Sequence, residues 1–212
     1  MSALGQALTF VLQWEGSYVN HPADPGGATM KGITQRVYDE YRTEGRLGTR
    51  AVKLISNDEV RDIYQQKYWN AGNCHRLRSR LDLAQFDTAV NMGINRATRI
   101  LQEASGCTAD GRFGPATLAV VGSCELRPTL EHYCEIREGW YRNRAVEKPD
   151  QKVFLKGWLN RMKALRKELG VEPDTSAEDT SYGDLDGAPD TRFSFSPHIS
   201  DLEPGQPLEA WR

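Results

Sequence analysis

Apolar residues recur at helical spacing from the start of the chain. The pattern predicts a first helix over roughly residues 2–15. The residues that carry it are Leu4, Leu8, Val11 and Leu12. Glu15 falls next on the same stripe, and Gly16 follows where a helix usually ends. A carboxylate is therefore expected on the apolar side of a helix, at the end where the helix dipole disfavours negative charge.

Helical spacing continues along most of the chain, and strand signals are few. The predicted helices are Thr34 to about Tyr41, a segment opened by the capping box Ser56-x-x-Glu59, "LDLAQFDTAVNMG", "RATRILQEASG", one from Pro115, one from Pro128, and about 151–169. A short hairpin is predicted between Tyr18-Val19 and Thr29 to Ile33, around the turn residues 24–27. The fold class is mainly α, with one small β-hairpin near the N-terminus.

Charge and composition divide the chain near residue 170. Residues 171–212 carry ten acidic and two basic side chains, are rich in Pro, Gly and Ser, and show no period, so we expect an acidic tail that is disordered or loosely docked. Residues 1–170 carry 25 basic and 19 acidic side chains. A basic body suits an anionic polymer such as nucleic acid, acidic lipid or cell-wall glycan, although a modest excess is also ordinary solubility charge.

Several function classes lack their signals. The apolar runs are too short for membrane insertion, and the N-terminus has no secretory signal, so synthesis in the cytoplasm is expected. No glycine loop for phosphate and no helix-turn-helix is evident. The spacing of Cys74, Cys107, Cys124 and Cys134 matches no zinc site, so no metal is predicted. Free, mostly buried thiols are expected, with one disulfide after export as the alternative.

The position of Glu15 has a chemical consequence. Desolvation and the helix dipole both favour its protonated form, and a carboxylic acid of this kind can donate a proton to a leaving oxygen in glycoside cleavage. The alternative is a helix-end glutamate that faces solvent. The loop that follows favours the catalytic interpretation, because it supplies a second carboxylate, Asp24, together with hydroxyls and glycines.

Three motifs around Glu15 carry a family resemblance. They are Glu15-Gly16, Asp24-Pro25-Gly26-Gly27-Ala28-Thr29 and Gly32-Ile33-Thr34. Together they resemble the signature of glycoside hydrolase family 108, the lysozyme-like N-acetylmuramidases of phages and bacteria. "YQQKYW" and "QFDTAVNMG" are similar to later family segments, and the stretch from "RATRILQ" to "KGWLNRMKALRKEL" resembles the peptidoglycan-binding region that accompanies the catalytic part. The resemblance spans about residues 5–169; Ser17 and Met30-Lys31 depart from the usual pattern.

The resemblance implies a lysozyme-like organisation. Residues 1–94 would form the catalytic domain, residues 95–170 a peptidoglycan-binding region packed on it, and residues 171–212 the tail. Glu15 would be the general acid. Asp24 would orient or deprotonate the attacking water, in which case the carboxylates should lie roughly 6.5–9.5 Å apart and the anomeric configuration should invert. A turn-forming role for Asp24 before Pro-Gly is the alternative.

Five further residues are candidates for substrate binding, and four of them have a structural alternative. Tyr18 and Trp69 could stack on sugar faces, although Trp69 could also belong to the core. Thr29 and Thr34 could hold the water, or could be hairpin and helix-cap residues. Asn91 could bind a glycan acetamido group or satisfy backbone amides.

The implied function is hydrolysis of the MurNAc–GlcNAc β-1,4 bond of peptidoglycan without a cofactor. The expected protein is a monomeric, bacteriolytic enzyme similar to phage-type endolysins, as a phage lysin, a prophage remnant or a bacterial remodelling enzyme, and it binds cell-wall peptidoglycan and no nucleic acid. It would act in the periplasm or outside the cell after holin-type or other release. The alternatives are a lytic transglycosylase, in which the muramic 6-hydroxyl attacks the same bond, and a non-catalytic wall-binding or secretion-accessory protein.

Overall fold

The computed structural model describes residues 1–20 and 27–172. In these residues it contains eight α-helices and one two-stranded antiparallel sheet, so the mainly α prediction is confirmed. The elements are α1 (Ala3–Leu12), β1 (Thr29–Met30), β2 (Ile33–Thr34), α2 (Gln35–Glu44), α3 (Asn57–Tyr64), α4 (Leu81–Met92), α5 (Ile94–Ala104), α6 (Pro115–Ser123), α7 (Leu126–Glu147) and α8 (Leu155–Leu169). The acidic tail beyond residue 172 lies outside the described residues.

Side chains cap the helices where the sequence predicts. The Thr34 hydroxyl accepts a hydrogen bond from the backbone N–H of Val37 at 3.3 Å and begins α2. Ser56 and Glu59 form a complete capping box at the start of α3, each side chain accepting from the other residue's backbone N–H. Pro115 is in the first turn of α6, where its missing N–H costs nothing. These predictions are confirmed because caps depend on local chemistry.

Some predicted helix ends were wrong. The first helix ends at Leu12 and not near residue 15, since Gln13 and Trp14 close the last turn with bonds to the carbonyls of Phe10 and Val11. The long helix α7 begins at Leu126, two residues before the proline expected to open it. A 3₁₀ turn over Pro149–Phe154 precedes α8. At α1 and α8 the apolar periodicity extends beyond the α-helical hydrogen bonding, whereas α7 begins earlier than predicted because the Thr129 N–H already bonds to the Glu125 carbonyl.

The hairpin exists but lies further along the chain than predicted. Its strands pair Thr29 with Thr34 and Met30 with Ile33. Val19 joins it as an isolated bridge, with reciprocal N–H to carbonyl bonds to Thr29 of 2.9 and 2.8 Å. The predicted pairing of Val19 with this region is thus present, but the turn of the paired strands is not at residues 24–27.

The hairpin turn consists of Lys31 and Gly32. Both residues have positive φ, 50° and 75°, which is the two-residue type I′ arrangement that matches the twist of paired strands. Lysine is an uncommon residue at positive φ, and this is why Asp-Pro-Gly-Gly looked like the stronger turn. The Lys31 ammonium donates to the Asn57 side-chain oxygen at 2.7 Å and so connects the turn to α3.

Helix α4 lies at the centre of the fold. It packs against α1, α5, α7 and α8, and ten of its twelve residues are buried. Helices α7 and α8 pack together through Tyr141 and Trp158, whose rings stack at 5.1 Å. One hydrophobic core extends from Leu4 to Val171, so it crosses the predicted boundary at residue 94. The division into 1–94 and 95–170 stays a prediction.

Among the described residues, no helix combines the length and apolar character needed to cross a bilayer.

Candidate active site

Glu15 lies just beyond the end of α1, in the turn that leads toward the hairpin. Its side chain is 1% exposed, which provides the desolvated surroundings that the sequence analysis expected. The carboxylate is held outside the helix, three residues after Leu12, so its position depends on the elements packed around it. Those elements are the hairpin turn, α3 with the π-helical segment Gln65–Asn70 that follows it, and α8.

The hairpin turn approaches one side of this carboxylate. A methyl group built on Gly32 would lie 2.9 Å from Glu15 Oε2 and 2.8 Å from the Tyr64 hydroxyl. The absence of a side chain at Gly32 therefore lets the turn, the carboxylate and Tyr64 meet. The Tyr64 hydroxyl donates to the Lys31 carbonyl at 2.9 Å, which fixes the turn against α3.

Two buried tyrosines face the same region. Burial raises the pKa of Tyr64 and Tyr68 well above the ordinary tyrosine value, and the negative charge of Glu15 adds to this effect. Both phenols therefore stay neutral at any physiological pH. Neither hydroxyl therefore serves as a base near Glu15, and that of Tyr64 donates its proton to the Lys31 carbonyl.

Arg161 approaches Glu15 from α8. Its Nη1 donates to Glu15 Oε1 at 3.3 Å, and the arginine side chain is 5% exposed. Arg161 Nε also donates to Asp87 Oδ1 at 2.9 Å, and Nη2 lies 2.7 Å from the same oxygen. A single guanidinium thus connects the carboxylates of the first turn and of α4.

Asp87 continues this chain of charges into the core. Its Oδ2 accepts from Arg137 Nη1 at 2.6 Å, and both side chains are fully buried. Burial would raise the pKa of Asp87, but Arg161 and Arg137 outweigh burial and hold that pKa below its usual range. Burial likewise lowers the pKa of Arg161, and Asp87 and Glu15 more than restore it. The two carboxylates and two guanidiniums balance one another in charge.

The structure gives each predicted substrate-binding residue a position. Tyr18 is 41% exposed, beside Val19 of the bridge. Thr29 is in β1, where its hydroxyl donates to the Gly27 carbonyl at 3.3 Å. Thr34 is buried and caps α2, as the helix-cap alternative predicts. Their roles toward substrate stay predictions.

Trp69 and Asn91 are both buried. Trp69 packs edge-on against Phe86 at 5.4 Å, a contact typical of its alternative role in the core. The Asn91 side-chain oxygen accepts from the Tyr141 hydroxyl, which in turn accepts from Arg137. Asn91 thus belongs to the polar network behind Asp87, and its role toward an acetamido group stays a prediction. Asp24 lies outside the described residues.

Metal-ligating side chains do not cluster in the part of the chain that the structure describes. All four cysteines are free thiols; Cys74 and Cys134 are buried, and Cys107 and Cys124 are half-buried. Burial raises the pKa of the Cys134 thiol to about 11, so it stays protonated and unreactive.

Sequence reasoning missed the partners of Glu15, although a signal for them was present. Arg161 lies three residues after Trp158 and four before Leu165, within the apolar stripe of α8. Asp87 occupies the corresponding kind of position in α4, between Leu83 and Val90. A charge on an apolar stripe is the same anomaly that singled out Glu15. The same criterion, used along the whole chain, identifies Arg161 and Asp87 as buried ions that need partners.

Comparisons with known proteins identify two family segments and one similar solved structure. The family model Glycosyl hydrolase 108 matches residues 8–93, and the model Predicted Peptidoglycan domain matches residues 96–163. The solved structure of Brucella abortus SagA is similar to this chain, with 32% sequence identity, a TM-score of 0.65, and coverage of 82% of this chain and 98% of that one. No curated protein sequence matches the chain.

Both regions of the earlier resemblance are therefore confirmed. The protein is a glycoside hydrolase that acts on peptidoglycan, and the wall polymer is its binding partner. Glu15, Gly32 and Asp87 lie within the first matched segment, and Arg161 lies within the second. The Glycosyl hydrolase 108 model matches the first segment, and the similar solved structure is 32% identical and is covered over 98% of its length. The chain therefore belongs to glycosyl hydrolase family 108.

Proposed function

We propose that this protein cleaves the β-1,4 bond between MurNAc and GlcNAc, with Glu15 as the general acid. The observation that carries the proposal is the position of the Glu15 carboxylate, which is desolvated and lies where the hairpin turn meets α8. General acid catalysis requires a carboxyl group held in one place to protonate the departing glycosidic oxygen. Oε2, on the side of Gly32, is the oxygen that we assign to this proton transfer.

Access of the sugar to this acid requires local movement. With its side chain 1% exposed, Glu15 meets substrate only after neighbouring groups separate. The hairpin is the element best suited to move, because each of its strands is two residues long and both join exposed or half-buried segments. Binding energy from the long glycan chain would supply the cost of this separation.

Asp24 completes the proposal as the group that orients or deprotonates the attacking water. Its position in the Asp-x-Gly-Gly-x-Thr motif supports this role. The alternative chemistry is attack by the muramic 6-hydroxyl, which needs the acid but no carboxylate for water. The two chemistries leave different products, a reducing end after hydrolysis and a 1,6-anhydro end after transglycosylation.

Product analysis on purified peptidoglycan tests the proposal. Mass spectrometry of products from the wild-type protein should show reducing MurNAc ends, and Glu15→Gln should abolish their release. The amide keeps the shape of the side chain but cannot donate the proton, and general acid catalysis typically contributes roughly 10²–10⁴-fold. A folded Glu15→Gln variant with activity close to wild type would refute the assignment.

The chain offers a matched control for this variant. Glu138 also pairs with an arginine of α8, since Arg166 Nε lies 2.7 Å from Glu138 Oε1, but it is on α7 and takes no part in the network around Glu15. Glu138→Gln should lower the thermal unfolding temperature and leave the turnover of folded protein unchanged. Wall co-sedimentation of both variants should match the wild type, which separates binding from chemistry.

We also propose that the enzyme reaches its substrate after release across the inner membrane, as a phage-type endolysin does. The peptidoglycan that the second matched segment is predicted to bind lies outside the cytoplasm, so an enzyme made inside the cell meets it only after crossing the inner membrane. Expression in the bacterial cytoplasm should therefore leave cells intact until a membrane-permeabilising protein or agent is supplied. Lysis on expression alone would contradict this route.

A further inference from the structure

We propose that Arg161 is a positioning residue for the catalytic carboxylate, and that the segment matched by the peptidoglycan-domain model therefore supplies part of the active site. The inference rests on the proposed role of Glu15 as the general acid. Arg161 lies 146 positions from Glu15 in the chain, yet its Nη1 donates to Glu15 Oε1 at 3.3 Å.

The first step concerns the support of Glu15. A side chain inside a helix is held by neighbouring turns, but Glu15 lies after the end of α1 in non-helical backbone. The orientation of its carboxylate must come from contacts across the fold. Arg161 binds Oε1 and leaves Oε2 toward the hairpin turn at Gly32, so the contact selects which oxygen faces the proposed proton transfer.

The second step concerns the support of Arg161. Asp87 Oδ1 accepts from its Nε at 2.9 Å, and Asp87 itself is fixed by Arg137 at 2.6 Å. Arg137 also donates to the Thr88 hydroxyl at 3.0 Å and to the Tyr141 hydroxyl at 3.1 Å. The guanidinium of Arg161 is therefore fixed by two sets of contacts, with Glu15 through Nη1 and with the buried network of Asp87 and Arg137 through Nε.

The third step concerns charge. Glu15 and Asp87 belong to residues 8–93, and Arg137 and Arg161 belong to residues 96–163. Each segment alone would bury two charges of one sign, which is strongly unfavourable. Together the four side chains are balanced. The second segment is thus required to assemble the acid, in addition to whatever it contributes to wall binding.

Two substitutions in the full chain separate geometry from charge. Arg161→Gln removes both, and we expect kcat for release of reducing ends to fall by about 10²-fold, as misplacement of a reacting group by 1 Å can do. The peptidoglycan concentration that gives half the maximal rate, and the fraction of protein that co-sediments with walls, should change little.

Arg161→Lys keeps the charge but loses the fork. One ammonium cannot bind Glu15 and Asp87 with the geometry of the guanidinium, so kcat should fall below the wild-type value but by less than in the Gln variant, which keeps neither charge nor fork. The Lys variant also decides the question if Arg161→Gln does not fold. Arg166→Gln is the matched control, because it breaks a partly buried ion pair between the same helix and Glu138 and should leave kcat of the folded protein unchanged.

Glu15→Gln, measured alongside, distinguishes two failures. If it retains wild-type activity, the proposed function is refuted and Arg161 has no acid to position. If it is inactive while either Arg161→Lys or Arg161→Gln shows wild-type kcat per folded molecule, Glu15 remains the proposed acid and the positioning role is refuted. Loss of kcat in both Arg161 variants, with Arg166→Gln unaffected, supports the inference.

Discussion

Gly32 and Glu15 meet so closely that there is no room for a side chain between them. A methyl group on Gly32 would lie 2.9 Å from Glu15 Oε2, and the glycine has a φ of 75°. The turn therefore needs glycine for two separate reasons, the left-handed backbone and the close approach of the carboxylate. The two reasons can be separated by experiment because Gly106 has only the first: its φ is 78° and a methyl group there would contact nothing within 4 Å.

We expect Gly32→Ala to lose activity and Gly106→Ala to keep it. Both variants should lower the free energy of unfolding by roughly 1–2 kcal/mol, the cost of placing an L-residue in the left-handed region. Only Gly32→Ala should displace the Glu15 carboxylate, so only it should reduce wall hydrolysis by folded protein. Denaturant unfolding and reducing-end release measure the two effects. Equal activity of the two variants would contradict a close approach at Gly32.

Tyr64→Phe should release the hairpin turn from α3. The hydroxyl donates to the Lys31 carbonyl at 2.9 Å, so its loss should lower the free energy of unfolding by about 1 kcal/mol and also reduce turnover, since the turn borders Glu15. Tyr133→Phe is the control: its hydroxyl bonds to Gln85 at 3.2 Å in the core. That variant should show a similar loss of stability with normal turnover. Normal turnover in both variants would show that this tether does not serve the site.

The helices could be predicted from the sequence because their caps depend on local chemistry. The caps at Thr34 and Ser56 need only neighbouring residues, and each is present where its motif predicts. The end of the first helix was not readable, because the apolar stripe continues to Glu15 while the hydrogen bonding of α1 ends at Leu12. Helix length depends on where tertiary contacts take over, which a single stripe does not encode.

The candidate site could be predicted from the sequence only in part. Glu15 could be identified because a charge on an apolar stripe needs an explanation, and Arg161 and Asp87 carry the same anomaly. The sequence could not pair them, since Glu15 could equally have faced Arg137 or solvent. Pairing follows from how α8 packs beside α4 and α1, a long-range arrangement that no local pattern contains. Trp69 and Asn91 illustrate the reverse, as plausible groove residues that tertiary packing buries.

Removal of residues 173–212 should strengthen binding to anionic walls. This segment carries nine acidic and two basic side chains, whereas residues 1–172 carry 25 basic and 20 acidic ones. The truncated protein is therefore net positive, and attraction to an anionic wall should rise at low ionic strength and converge with the full chain as salt screens it. Val171, which is buried in the core, is retained.

Co-sedimentation with purified walls across a salt series measures this effect. A full-length variant with the acidic side chains of the segment changed to amides is the control, because it should bind as the truncated protein does if charge is the cause. The reaction products should be the same for all three proteins. Equal binding at every salt concentration would leave the segment without this role.

Acid should destabilise the protein through Asp87. Arg161 and Arg137 hold the folded-state pKa of this carboxyl below its usual range although burial opposes them, whereas in the unfolded chain the pKa is about 3.9. The unfolded state therefore binds the proton more readily, so the contribution of Asp87 to stability is complete above about pH 5 and is lost as the pH falls through the lower, folded-state value. Urea unfolding from pH 7 to pH 2 should show this decline.

Asp87→Asn should lower stability at neutral pH by about 3–5 kcal/mol, since it breaks a buried ion pair, and should flatten the decline in acid. Asp150→Asn, at an exposed position, should retain the wild-type slope. An Asp87→Asn protein with an unchanged acid slope would show that other carboxylates account for the loss of stability at low pH.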